Sequence, residues 1–339
     1  TMRVSTSSRR AAIPLSAWLA RRRPSKVNGR VTTPMVRAPR LLAIFATTGA
    51  PPVPGKPAGT VFWQGAEAWL RSRDQVRDGV ADIVWSVPTY SAGRYTKTEV
   101  FELPFMAVNA KQGSQALWEY TQKNSLDEFK GIKPLFMHTT EGYVLHSNKP
   151  ITKLEDMKGK KIRTATRISA RMMSAMGGTP VQMPLPQVAD ALSKGVVDGV
   201  LVPWEAIPAT KLHEIVKHHL DAPLGSPRFA NTIFIFGMNQ AKYDSLSPKL
   251  KKVIDDNSGL AASAWAGEEG FDKIVEPYSK LARDRGNTIA IISKDELARW
   301  EKATAGVDEI WLKDVAAKGG DGKKLIDEAK ALLQKYAPK

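Results

Sequence analysis

The sequence predicts an α/β fold built as two lobes with a cleft between them. From Leu154 to Trp204, a strand that ends at Arg163 is followed by a helix and a second strand. A strand, helix and strand joined by short connections form a unit that builds parallel sheets. Segment 75–84 recurs in form as segment 192–200, each with a helix end, Gly, Val, Asp and a strand. Two such units indicate two comparable lobes; two unrelated helix-to-strand turns are the alternative.

The first 73 residues are the least readable part of the chain. Strand-like islands occur at 2–6 and 29–33, and the residues around them are rich in Arg, Pro and Ala. Such a composition resists a packed core. It is also what reading a GC-rich gene out of frame would give, so we hypothesise that parts of this segment are mis-assigned. No export signal is recognisable, and we expect a mature form from which one has been removed.

From Asp74 onward the pattern is regular. Gly79 occupies the position of a left-handed helix C-cap. Ser247 has the position of an N-cap, followed by Pro248 at the first helical position. Residues 293–296 have the pattern of a capping box. The helical spacing that follows Pro248 breaks near Gly267 and Gly270 and continues to about residue 282. The predicted strands are 80–85, 132–138, 143–147, 231–238 and 288–292, and the other predicted helices are 112–123, 212–220, 303–318 and 323–336.

The predicted parallel sheet locates a candidate ligand site. In open parallel sheets, ligands bind beyond the carboxyl ends of the strands. Arg163 and Trp204 fall at two such ends. A fixed cation and a large aromatic plane that face one crevice suit an organic carboxylate.

Composition narrows the class of protein. The chain has no cysteine, which excludes thiol nucleophiles and disulfides. No apolar run reaches the roughly 18 to 20 residues that a membrane span needs, so we expect no insertion in a membrane. The net charge of +16 invites a nucleic-acid hypothesis. However, residues 1–66 hold eleven Lys or Arg and no acid, in Arg-Pro-Ala-Ser-Thr segments without interleaved aromatics, so we expect no nucleic-acid partner.

The sequence lacks the motifs of the common catalytic sites, including the phosphate loop, the dinucleotide fingerprint and the nucleophile elbow. We therefore expect no enzyme, no cofactor and no metal. His213, His218 and His219 fall on the predicted helix 212–220, where a solvated face is favoured over a metal pair. A small-molecule enzyme with an unrecognised site and a basic nucleic-acid- or surface-binding protein are the alternatives.

Six short motifs follow one another in order between residue 74 and the C-terminus. They are 76–85 (VRDGVADIVW), 90–94 (YSAGR), 100–106 (VFELPFM), 154–163 (LEDMKGKKIR), 176–181 (MGGTPV) and 195–199 (GVVDG). Together they resemble the periplasmic solute-binding proteins of tripartite ATP-independent periplasmic (TRAP) transporters, of the dicarboxylate-binding type.

The resemblance implies the two-lobed periplasmic binding protein fold, with hinge strands and a long lobe-spanning helix. Residues 1–150 are then mainly lobe 1 and 151–235 mainly lobe 2. Residues 236–339 hold a lobe-crossing strand, the long helix and C-terminal helices that pack on both lobes. The function implied is that of a periplasmic component that closes over a small organic acid and delivers it to the membrane permease subunits.

The resemblance also assigns site residues. Arg163 matches the family arginine that pairs with the ligand carboxylate, for which its planar fork of donors is suited. Many members have a second pocket arginine where this chain has Tyr143, which favours a 2-oxo, 2-hydroxy or aromatic monocarboxylate over a dicarboxylate. Glu205 is a candidate for holding a cation that bridges to the ligand, as in some relatives. The predicted ligand-binding residues are Arg163, Trp204, Tyr90, Trp85, Tyr143, Asn231 and Phe234; for each aromatic, core packing is the alternative.

Overall fold

Two β-sheets organise the computed structural model, which describes residues 74–79 and 81–338. The predicted islands at 2–6 and 29–33 lie outside these residues. Within the described range the strands are β1 (Ile83–Ser86), β2 (Ile132–Thr139), β3 (Val144–Ser147), β4 (Lys161–Thr164), β5 (Thr179–Gln182), β6 (Gly199–Val202), β7 (His218–Asp221), β8 (Ile233–Asn239) and β9 (Thr288–Ile291).

The smaller sheet has three antiparallel strands in the order β1-β8-β2. The central strand β8 sets Ile83 opposite Met238 on one side and Ile132 opposite Asn239 on the other. The register of β2 shifts between Pro134 and Phe136. Proline has no N–H to donate to a ladder, which explains why it is tolerated in an edge strand at such an irregularity.

The larger sheet has six strands in the order β5-β4-β6-β3-β7-β9. Strand β4 runs parallel to β5 and to β6, and β7 runs parallel to β9. The predicted parallel pairing of the strand that ends near Arg163 with the strand that begins at Gly199 is therefore confirmed. Strand β3, in contrast, is antiparallel to both of its neighbours, so the sheet is mixed.

The helices surround these sheets. In the described part of the chain they are α1 (Ala110–Tyr120), α2 (Arg167–Ala175), α3 (Val188–Ser193), α4 (Ala206–Thr210), α5 (Leu212–Ile215), α6 (Gln240–Asp244), α7 (Pro248–Asp256), α8 (Gly259–Gly270), α9 (Val275–Asp284), α10 (Lys294–Thr304), α11 (Gly306–Ala316) and α12 (Gly322–Lys335). The predicted N-caps are present, because the Ser247 and Ser293 side chains accept from the backbone N–H groups of Leu250 and Glu296. The predicted capping box at 293–296 is only half formed, because the Glu296 carboxylate accepts from the Leu154 N–H and the Trp300 indole N–H instead of returning to Ser293. None of these helices combines the length and the apolar character that crossing a membrane requires.

Two neighbouring crossings connect the sheets. Residues 140–143 lead from β2 to β3, and residues 222–232 lead from β7 to β8. The Thr140 N–H donates to the Thr232 carbonyl oxygen at 3.1 Å, and the Tyr143 N–H donates to the Ala230 carbonyl oxygen at 2.8 Å. The two crossings therefore run side by side, as the predicted hinge strands should.

The predicted long helix is present as two helices placed end to end. Helix α8 packs on α1 and β2, and α9 packs on β9 and α5, so the pair reaches from one sheet to the other. The interruption falls at Phe271, where φ is −131°, just after the predicted break at Gly270. Gly267 allows α8 to approach α1 closely, because a Cβ there would lie 2.5 Å from the Ala110 carbonyl oxygen.

The prediction of a single helix over residues 212–220 is wrong. Helix α5 ends at Ile215, and His218–Asp221 form strand β7. His219 is buried rather than on a solvated helix face, and its Nδ1 lies 2.6 Å from the Nδ1 of His146 on β3.

Candidate functional site

Arg163 lies near the carboxyl end of β4 and is only 2% exposed. Its Nε donates to the Met183 carbonyl oxygen at 2.9 Å and its Nη1 to the Leu201 carbonyl oxygen at 3.1 Å. Leu201 lies in β6, and Met183 directly follows β5. The two strands that flank β4 therefore fix the guanidinium at the carboxyl ends of three parallel strands.

The buried charge of Arg163 has no anionic partner among the residues that the structure describes. Its Nη2 has no hydrogen-bond partner among the described residues, and both of its other donors meet neutral carbonyl groups. An unpaired charge inside a protein costs several kcal/mol unless an anion and further hydrogen bonds compensate it. A carboxylate seated at Nη2 would supply that compensation.

Tyr143 stands in the first crossing, next to this arginine. The phenol is buried and its hydroxyl lies 2.5 Å from the Thr232 Oγ1. Burial raises the pKa of Tyr143, the charge of Glu102 raises it further, and the charge of Arg163 opposes this shift. The Tyr143 ring is therefore within electrostatic reach of both the arginine and Glu102.

Two other predicted residues lie in the same region. Asn231 is buried in the second crossing, where its Oδ1 accepts from the Thr140 Oγ1 at 3.5 Å. Tyr90 is half-buried against the core and is a further influence on the pKa of Tyr143. The structure thus gathers Arg163, Tyr143, Tyr90 and Asn231 around the crossings.

Glu102 is a completely buried carboxyl group at the end of a short 3-10 helix. Its Oε1 accepts from the Thr89 Oγ1 at 2.6 Å and from the Ile233 N–H at 3.5 Å. Its Oε2 has no partner within the described range. Burial raises the pKa of Glu102 to about 8, with a further contribution from Glu99, while the hydroxyls of Thr89 and Thr166 lower it. The carboxyl group is therefore protonated at neutral pH.

Trp85 and Phe234 meet on the three-stranded sheet. Their ring centroids are 4.9 Å apart with an interplanar angle of 16°, and Phe234 stacks on His138 at 4.8 Å and 6°. The Trp85 indole N–H donates to the His138 Nε2 at 2.8 Å. Burial lowers the pKa of His138 to about 4, so this imidazole is neutral. The two predicted aromatics form one stack around a neutral histidine.

Trp204 lies in the core of the six-stranded sheet and is fully buried. Its indole N–H donates to the Asp221 Oδ2 at 2.8 Å, and its ring packs edge-on against His146 at a centroid distance of 5.2 Å. The position of Trp204 after a strand therefore agrees with the prediction. Its ring packs against neighbouring residues in the core of the six-stranded sheet.

A second arginine beside the hinge, Arg228, is partly buried and pairs with a carboxylate of the chain. Arg228 donates from Nε to the Asp221 Oδ1 at 2.5 Å and from Nη2 to its Oδ2 at 3.1 Å. Its Nη1 donates to the Glu141 carbonyl oxygen at 3.0 Å. Arg228 thus has the carboxylate partner that Arg163 lacks.

Two further carboxyl groups lie at this hinge, the buried Glu141 and the partly buried Glu205. The Glu205 N–H donates to the Glu141 Oε1 at 3.3 Å, and the Glu141 Oε2 has no partner among the residues described. Burial raises the pKa of Glu141 to about 8 and that of Glu205 to about 7. No group of three or more possible metal-binding side chains occurs in the described part of the chain.

Two surface hollows lie away from these residues. One, of about 540 Å³, is bordered by residues of α12 such as Lys324. The other, of about 680 Å³, lies between Trp118, Lys130 and Asp255. Neither includes any of the seven predicted ligand-binding residues, which are buried or, for Trp85 and Tyr90, half-buried.

The sequence reasoning missed Glu102 and the Arg228–Asp221 pair. Glu102 could have been found, because it is an acid within the apolar run 100–106, and an acid in a buried segment needs a partner or a function. The Arg228–Asp221 pair could not have been found from the sequence, because neither residue is unusual within its loop or strand.

A sequence profile of a family described as bacterial extracellular solute-binding protein, family 7, matches residues 70–314. A marine metagenome TRAP solute-binding protein specific for aromatic acid ligands, solved with 3-hydroxybenzoate, is 43% identical with a TM-score of 0.77. This similarity covers 79% of this chain and 84% of the other. A TRAP solute-binding protein from Rhodoferax ferrireducens T118, solved with copurified benzoate, is 40% identical with a TM-score of 0.77, covering 80% and 84%.

An ectoine-binding periplasmic protein of Halomonas elongata is 25% identical over 280 residues, which cover 77% of this chain and 76% of that protein. The similarity to the solved structures confirms the predicted two-lobed α/β fold. The matched proteins bind substrates for transporters and are not enzymes, so the enzyme alternative is not supported.

Proposed function

Because the chain belongs to family 7 of the bacterial extracellular solute-binding proteins, we propose that it captures an aromatic monocarboxylate between its lobes in the periplasm and delivers it to a TRAP permease. The observation that carries this proposal is the buried guanidinium of Arg163. Two carbonyl oxygens orient it, and no described carboxylate neutralises it. The carboxylate of the ligand would take that place.

The remainder of the site suits an aromatic body. Tyr143 is within electrostatic range of both the arginine and Tyr90, and Phe234 and Trp85 form the stack on the three-stranded sheet. The two similar structures contain benzoate and 3-hydroxybenzoate. Since Arg228 already pairs with Asp221, the site offers one uncompensated cation, which favours one carboxylate over two. In this proposal Arg163 binds the carboxylate, Tyr90, Tyr143 and Asn231 border the ligand, and Trp85, Phe234 and Trp204 support the walls.

Thermal unfolding with and without ligand tests the proposal. Benzoate at about 100 times its Kd should stabilise the protein by about 2.7 kcal/mol, because a ligand that binds only the folded state stabilises it by mass action. Succinate should have no such effect. Arg163→Ala should abolish the benzoate effect, since it removes the only charge assigned to the carboxylate.

Arg299→Ala is the matched control, because Arg299 is exposed and pairs with Glu155 and Glu296 on the surface. This variant should bind benzoate as the wild type does. Stabilisation by succinate without stabilisation by any aromatic acid would contradict the proposed ligand class, and an undiminished benzoate effect in Arg163→Ala would contradict the assigned residue.

A further inference from the structure

We propose that Glu102 forms a second polar subsite, which recognises a hydroxyl group on the bound acid, so that the ligand class is a hydroxylated aromatic monocarboxylate. This inference rests on the proposed function, because it takes the carboxylate end of the ligand to be held by Arg163. The inference adds a polar contact for the opposite end of the ligand.

Glu102 and Tyr143 contact two consecutive residues, Thr232 at the end of the second crossing and Ile233 at the start of β8. The Ile233 N–H donates to the Glu102 Oε1 at 3.5 Å, and the preceding residue, Thr232, lies with its Oγ1 2.5 Å from the Tyr143 hydroxyl. The carboxyl group of Glu102 therefore lies on the same side of the hinge as the Tyr143 phenol.

Arg163 approaches Tyr143 from the six-stranded sheet. Its Nη1 donates to the Leu201 carbonyl oxygen at 3.1 Å, and Leu201 is paired in register with Leu145, two residues after Tyr143. Arg163 and Glu102 thus flank the same tyrosine. Each has one buried polar atom, Nη2 and Oε2 respectively, without a hydrogen-bond partner among the described residues.

Those two atoms set complementary requirements. The guanidinium requires an anion, whereas the neutral carboxyl group requires a neutral polar partner, because a second anion would be desolvated there without a positive charge to compensate it. Burial raises the pKa of Glu102 to about 8, which gives the carboxyl group both a donor and an acceptor at neutral pH. A hydroxyl group also donates and accepts, and a phenolic acid carries it at a fixed distance from the carboxylate.

Isothermal titration of benzoate, 3-hydroxybenzoate and 4-hydroxybenzoate into the full chain tests the inference. In the wild type, at least one hydroxybenzoate should bind about tenfold more tightly than benzoate, the size of effect that one additional buried hydrogen bond gives. In Glu102→Leu the ratio of hydroxybenzoate affinity to benzoate affinity should fall about tenfold, to about one. Glu102→Gln, which is neutral and keeps a donor and an acceptor, should retain most of the wild-type preference.

Glu128→Gln is the control. Glu128 belongs to the neighbouring turn, but both of its oxygens accept hydrogen bonds from Lys97 and Thr98. This variant should leave the ratio of affinities unchanged.

Three results would overturn the inference. The first is that the wild type binds no hydroxybenzoate more tightly than benzoate. The others are that Glu102→Leu keeps the preference unchanged, or that it loses affinity for all three ligands equally. If the leucine variant does not fold, a wild type that binds no hydroxybenzoate more tightly than benzoate still overturns the inference. Failure of the proposed function looks different, because benzoate itself would then not bind or would bind without Arg163.

Discussion

Arg163 is buried and Arg228 is partly buried beside the hinge, but the described residues provide a carboxylate only for Arg228. Arg228 donates two hydrogen bonds to Asp221, and the Trp204 indole N–H donates to the same carboxylate. Arg163 meets two carbonyl oxygens and has an unpaired Nη2 among the described residues. Arg228 therefore serves the stability of the fold, while Arg163 is the residue that we propose binds the ligand carboxylate.

At the residue scale, Arg228→Met should lower the free energy of unfolding by about 3 kcal/mol, because removing one partner of a buried ion pair leaves the other charge uncompensated. Urea denaturation measures this. Arg285→Met is the matched control, because Arg285 pairs with Glu214 at the surface, where such a pair contributes about 1 kcal/mol or less. If the two substitutions lowered the free energy of unfolding equally, the Arg228–Asp221 pair would contribute no more than a surface ion pair.

The sequence identifies residue types at the site better than their partners. Arg163 was found because it ends a predicted strand of a parallel sheet, and its location there is confirmed. The position of Trp204 after a strand was equally readable. The direction of its ring was not, because that depends on Asp221, which lies on a different strand of the same sheet.

At the element scale, the short crossing between β2 and β3 has little freedom. Gly142 adopts a φ of +101°, and a Cβ on it would lie 2.6 Å from the Arg228 Cβ. Arg228 cannot easily move away, because its guanidinium is fixed by Asp221 and by the Glu141 carbonyl oxygen. Glycine is therefore required here for two reasons, backbone conformation and close packing.

Gly142→Ala should lower the free energy of unfolding by about 2 to 4 kcal/mol, from the strained positive φ and from the overpacking together. Gly159→Ala separates the two contributions, because Gly159 has a φ of +75° but a Cβ on it would meet no atom within 4 Å. Gly159→Ala should lower the free energy of unfolding by only about 1 to 2 kcal/mol. Chemical denaturation of both variants gives the comparison, and a Gly142→Ala cost no larger than that of Gly159→Ala would refute the packing contribution.

Elements with one apolar face or a cap were predictable from the sequence, including β2, β8, α7 and α10. Strand β7 was not, because its sequence, His218-His219-Leu220-Asp221, looks like a polar helix face. Its burial becomes possible only when His219 meets His146 and Asp221 meets Arg228. These partners lie outside β7, so local pattern reasoning had no access to them.

At the scale of the whole molecule, the buried ionisable groups make stability depend on pH. Burial raises the pKa values of Glu102 and Glu141 from 4.5 to about 8 and that of Glu205 to about 7. Each of these carboxyls binds its proton more tightly in the folded state than in the unfolded state. Their contribution to stability is therefore full below pH 4.5 and is lost as the pH rises towards 8.

The buried histidines act in the opposite direction. Burial lowers the pKa of His138 and His219 from 6.5 to about 4, and lowers that of His146 as well. The unfolded chain binds these protons more tightly, so the contribution of the histidines is full above pH 6.5 and is lost as the pH falls towards 4. Between about pH 4.5 and 6.5 the three carboxyls and the three histidines therefore oppose each other.

The free energy of unfolding of the unliganded protein should consequently be greatest and nearly flat between about pH 4.5 and 6.5, and should fall between about pH 6.5 and 8, where only the carboxyls titrate. Urea denaturation at a series of pH values measures this profile. Glu102→Gln and Glu205→Gln should each make the decline above about pH 6.5 shallower, because each removes one proton from the linkage. A stability that stays constant or rises from about pH 6.5 to 8 would mean that these carboxyls are already ionised in the folded protein.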